Sequence, residues 1–137
     1  MHTVKVVRDR PDFRVFIDLL YGADRNVDTD GDSNPISSRV WTFLYVKDRE
    51  SDDPCVEIYV SDDDPAVFVV ESGSSRLEEL AALYLFLTCG ESIRTPEKAI
   101  DHAAIDALSE QYRAELVRAN DSISHQPSPE SPYPNLQ

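Results

Sequence analysis

Hydrophobic and polar positions in this chain fall into blocks that switch between a period near two and a period near 3.6. Residues 3–7 (TVKVV) alternate enough for a short first strand, which Pro11 ends. Asp12 can cap a helix, and Phe13, Phe16, Ile17, Leu20 and Tyr21 then recur at i, i+3, i+4, i+7 and i+8. That is one helical stripe over 12–21, and Gly22 stops it. Residues 24–38 read as a polar connection. Three runs of strand character come next, at 39–47 (RVWTFLYVK), 55–60 (CVEIYV) and 66–71 (AVFVVE). In the first run Val40, Thr42, Leu44 and Val46 share one face, and Trp41, Phe43 and Tyr45 the other. A strand apolar on both faces belongs centrally, under a helix. The short polar links DRESDDP and SDDDP make the runs an antiparallel meander.

Ser75 and Glu78 have capping-box spacing at the head of a helix that runs through LEELAALYLFLTC to Gly90. This helix is apolar nearly all round and should be the most buried. Thr95, Pro96 and Glu97 mark the start of another, with Ile100, Ala103, Ala104, Ala107, Leu108, Tyr112 and Leu116 along one side. After Asp121 the composition changes to SISHQPSPESPYPNLQ, which is rich in proline and poor in large apolar residues. The expectation is one domain over 1–121 and a disordered, Pro-rich tail over 122–137. The order β-α-β-β-β-α-α gives a two-layer α+β fold: an antiparallel meander of about four strands covered by about three helices.

Charge narrows the partners. Twenty-six acids against 13 bases leave a net charge of −13 and a pI near 4.4. Such a surface repels nucleic-acid phosphates and anionic membranes, so neither is an expected partner. It attracts a basic protein and speeds the encounter. Acidity shared by a whole proteome would produce the same bias, so charge alone does not define function. Cys55 and Cys89 lie in apolar runs outside any C-x-x-C motif and read as reduced, packed residues. The start MHTVKVVRDR lacks an apolar h-region, and the apolar run Leu80 to Leu87 is far short of the ~20 residues of a bilayer span. A cytoplasmic location is therefore expected.

One stretch, DTDGDSNP over 28–35, resembles the opening of a calcium loop. Asp28, Asp30 and Asp32 occupy the first three ligand positions of an EF-hand. The pattern then fails: Ser33 stands at the glycine position, Pro35 at the aliphatic one, and Arg39 where a bidentate Glu belongs. In a meander, this connection and the link containing Asp62, Asp63 and Asp64 should lie at one end of the sheet, with 48–53 at the other. Six carboxylates would then converge. Solvated turn residues, a weak divalent-cation site and a docking surface for Lys and Arg are the three readings this convergence allows.

Chemistry is harder to find. His2 and His125 lie near the ends of the chain, and His102 has no second His at helical spacing. Ser72, Gly73, Ser74 and Ser75 lack the G-x-S-x-G pattern and read as a turn and helix cap. Isolated glycines make no phosphate loop. No catalytic residue, metal ligand set or cofactor is implied. The sequence is therefore read as a small acidic, non-enzymatic protein-binding module. The concrete form expected is an inhibitor or immunity-type protein of bacterial or phage origin that occludes the cationic site of a basic toxin or effector, such as a nuclease. The residues expected to bind the partner are Asp28, Asp30, Asp32, Asp62, Asp63, Asp64 and Trp41. The alternatives are an adaptor that binds through the aromatic face of its sheet, and a small enzyme whose site is not visible in the sequence.

Overall fold

Strand-forming runs too short to bury both faces assemble here into one sheet, and the apolar helices close a single side of it. The computed structural model describes residues 1–22 and 25–122. In chain order the elements are β1 (His2–Val6), α1 (Arg14–Tyr21), β2 (Val27–Gly31), β3 (Phe43–Asp48), β4 (Val56–Val60) and β5 (Val67–Ser72). They continue with α2 (Ser75–Cys89), β6 (Gly90–Arg94), α3 (His102–Gln111) and α4 (Arg113–Asn120). The six strands are ordered β2-β3-β4-β5-β1-β6, and every neighbouring pair is antiparallel. The α+β class is as the sequence implies, with six strands and four helices among the described residues in place of about four and about three. The Pro-rich segment, apart from Ser122, lies outside the described residues.

Alternation sorts the sheet into two faces. Val4, Val6, Leu44, Val46, Val56, Ile58, Phe68, Val70 and Ile93 point to one side and form a single core with the helices. Helix α2 lies on β1, β4, β5 and β6, and α1 packs against α2 and α4. Burial of α2 on nearly every side follows from its apolar sequence: Leu80 to Leu85 are all closed off from solvent. Edge-to-face ring contacts lock the centre, with Phe16 at 6.0 Å from Trp41 and 5.3 Å from Tyr84, and Trp41 at 6.2 Å from Phe68.

Four local expectations are corrected. Part of DTDGDSNP is not a connection: Val27–Gly31 forms β2, paired along β3. The cap of α2 is Ser74, whose hydroxyl accepts from the Leu77 amide at 3.2 Å, while Glu78 turns instead to the Ser72 amide and His2. Thr95 caps no helix. It closes a turn with Lys98, and α3 begins after Asp101, which accepts from the Ala104 amide at 2.9 Å. His2, placed by sequence near a mobile end, is buried and hydrogen-bonded to Glu78.

Gly90 joins α2 directly to β6. A Cβ there would come within 2.7 Å of Val4 Cγ1 and 2.8 Å of the Phe86 Cα, so only glycine fits between helix and sheet.

Candidate functional site

The second face of the sheet carries no helix among the described residues. Cross-strand pairing places Asp28 and Asp30 of β2 beside Lys47 and Tyr45 of β3. Phe43 and Tyr45 stand beside Tyr59 and Glu57 of β4, which pair in turn with Val69 and Glu71 of β5. Thr3 and Lys5 of β1, then Arg94 and Ser92 of β6, complete the face. Phe43, Tyr45, Tyr59 and Val67 are half-buried and stand outside the core cluster. Asp28, Asp30, Glu57 and Glu71, with Lys47 among them, occupy the β2-to-β5 side, and Lys5, paired with Glu91 at 3.2 Å, and Arg94 the opposite margin. Glu57 and Glu71 face each other directly, an arrangement of like charges that costs stability.

At one end of the sheet lie the C-terminal end of β2, the start of β3 and the turn 61–66 between β4 and β5. The Asp32 amide bonds Phe43 O at 3.4 Å, and the Val60 amide bonds Thr42 O at 3.2 Å. β2 and β4 flank β3, so the two acidic segments stand about 10 Å apart, two strand spacings. The end of β2 that carries Asp32 and the turn that carries Asp62, Asp63 and Asp64 thus share one end of the sheet, while Asp30, opposite Tyr45 and level with Glu57, stands further back along the strands. The convergence expected from the meander does not extend to Asp28, which lies nearer the other end and pairs with Arg49 at 3.2 Å. There Arg25 also holds Asp48 at 2.6 Å and Glu50 at 3.5 Å. No ion pair among the described residues involves Asp30, Asp32, Asp62, Asp63 or Asp64.

Asp32 has structural work. Its carboxylate accepts from the Thr42 amide at 2.7 Å, the Phe43 amide at 3.0 Å and the Thr42 hydroxyl. Burial pushes its carboxyl upward, but the three bonds outweigh that and hold it below the ordinary carboxylate range. Asp30 Oδ1 accepts only from the adjacent Gly31 amide at 2.8 Å among the described contacts, and Asp64 Oδ1 takes the Ala66 amide at 2.9 Å. The Arg10 guanidinium has its pKa lowered by burial, against the opposing pull of Cys89, Asp9 and Asp32 nearby. Its ring-facing position, 5.2 Å over Phe68, and its bond to Trp41 O place it beneath the helix layer.

Trp41 is corrected as a partner-binding residue. It is 1% exposed, precedes β3, and donates Nε1–H to Pro11 O at 2.9 Å. Alternation counted through a strand that begins only at Phe43 put it on the wrong face. Tyr59, which the sequence reading did not single out, stands on the helix-free face, where the register sets it against Phe43.

A cleft of about 420 Å³ opens beside the end of β2, lined by Phe13, Thr29, Asp30, Ile36, Phe43 and Leu44 among others. Ile36 is 57% exposed at its rim. Among the described residues no three His, Cys, Asp or Glu side chains are placed to hold a metal ion, and Asp28 and Asp30 lie along an extended strand, not around a loop. Comparison with family models, curated proteins and solved structures gives no match.

Proposed function

We propose that the protein is an acidic binding module that captures a basic protein partner on the helix-free face of its sheet and the carboxylates at its end. The observation that carries the reading is the interleaving of Phe43, Tyr45 and Tyr59 with Asp30, Glu57 and Glu71 on a face that no helix among the described residues covers. Aromatic side chains supply contact area at small entropic cost, and flanking acids fix register and reject acidic competitors. Asp62, Asp63 and Asp64 extend the negative field beyond the contact area and steer a cationic partner. The specific form is an inhibitor that takes the place of phosphates on the Lys and Arg side chains of a toxin or effector, a nuclease above all.

The test is capture on the immobilised protein, followed by assay of the captured partner's activity. The reading requires one basic partner, released by raising salt, whose activity the wild type suppresses and the Asp30→Asn, Glu57→Gln, Glu71→Gln variant does not. Suppression unchanged in that variant would refute it.

A further inference from the structure

The two edges of the sheet differ. Outside β6 the chain folds back, with Ala99 bridging Arg94 and the Ile100 amide bonding Ile93 O at 3.0 Å. Outside β2 there is no strand among the described residues, and β3 is its sole neighbour in the sheet. An uncovered edge presents backbone donors and acceptors to a further strand, and of those on β2 the Gly31 amide is already taken by Asp30 Oδ1 at 2.8 Å. Charged residues commonly protect such edges against self-association, and Asp28 and Asp30 stand on this one. The same two carboxylates select a partner of opposite charge.

We infer that β2 is the docking edge for an extended, basic segment of the partner, which adds a seventh strand to the sheet. This rests on the proposed function and specifies which part of the partner is recognised. The alternation of β2 dictates the pattern of the segment. Its Asp28 and Asp30 side chains share the open face with Lys47 and Tyr45, so residues of the added strand on that face should be Lys or Arg. Thr29 and Gly31 share the opposite face with Val46 and Leu44. There the cleft bounded by Phe13, Ile36 and Leu44 gives room for an apolar side chain, and Gly31 brings none of its own to fill it. The ligand is thus a strand in which cationic and apolar residues alternate. Asp28 already has Arg49 at 3.2 Å, and an incoming cation shares or displaces that exposed contact at small cost.

A short alternating lysine–valine peptide, titrated into the labelled protein, tests this against a peptide of the same composition with lysines and valines in separate blocks. Binding of the alternating peptide should be about tenfold tighter, with backbone amide shifts and exchange protection centred on Val27–Gly31. Asp28→Asn with Asp30→Asn should weaken it about tenfold, and charge reversal to Lys should abolish it. Thr29→Arg, which fills the cleft from an exposed position, should also remove the preference for the alternating peptide. Equal affinity for the two peptides, or shifts centred on Tyr45 and Tyr59, would overturn edge pairing while leaving the acidic face as the docking surface. No binding of either peptide would overturn edge pairing as well, and the suppression assay on the captured partner then decides the broader reading separately.

Discussion

Asp32, Asp48 and Glu78 are acids that the fold uses as hydrogen-bond acceptors. The Arg25 guanidinium beside Asp48, together with the Glu50 amide, holds that carboxyl below the ordinary range. Burial pushes Glu78 upward, but the N-terminal ammonium at 2.9 Å, His2 and the Ser72 amide outweigh it and leave the group depressed. Depressed carboxyls contribute stability that is fully present above their unfolded values, about pH 4, and lost as pH falls through the folded ones. The thermal midpoint should therefore hold between neutrality and about pH 5 and drop below about pH 4. Asp32→Asn, Asp48→Asn and Glu78→Gln should each shrink that acid-induced drop, as a pH series of melting curves would show. Substitutions at Trp41 and Tyr45 separate packing from the proposed recognition. Trp41→Ala removes a buried indole and its bond to Pro11, and should cost about 3–5 kcal/mol in a urea titration. Tyr45→Ala on the open face should leave the urea midpoint much less changed and weaken partner capture.

The ends of the elements decide which readings of the sequence hold. Ser74→Ala should destabilise by about 1 kcal/mol, because its hydroxyl satisfies the Leu77 amide, and Ser75→Ala should stay within about 0.5 kcal/mol. Paired urea midpoints distinguish the two serines. Gly90→Ala should cost more than the cap, since Val4 and the backbone of Phe86 must give way together. Helix α2 and the cores of β3, β4 and β5 were legible because long apolar or alternating runs leave a single solution. β2 and β6 were not. VDTDG and GESIR carry one branched or large apolar residue each, and their strand character comes from pairing with β3 and β1 rather than from composition. The helical stripe drawn from Ile100 to Leu116 ran straight across a break at Tyr112, where α3 gives way to α4 and the Tyr112 hydroxyl reaches Glu79 at 2.7 Å. The break coincides with a contact to a residue 33 positions away, which no local period reveals.

Charge acts on the whole molecule. A net charge of −13 repels itself, so Asp62→Asn with Asp63→Asn and Asp64→Asn should leave stability unchanged or slightly raised. Asn at position 64 keeps the acceptor for the Ala66 amide, so the turn is retained. Association with a basic partner should nevertheless slow, and its rate should lose part of its dependence on ionic strength, a result stopped-flow measurement can check. The end of the sheet was legible from the meander, since alternate links must share an end; that Asp28 would fall inside β2, nearer the opposite end and paired with Arg49, was not. Strand order has a further effect on how the molecule is made. β1 lies between β5 and β6, although about 60 residues separate it from the first and more than 80 from the second. The β2-to-β5 meander can assemble from neighbours in the chain, but the middle of the sheet stays open until β1 is inserted between partners synthesised much later. The two pairings of β1 are therefore the most non-local in the sheet, and the closing of its middle should be slower than the closing of the meander.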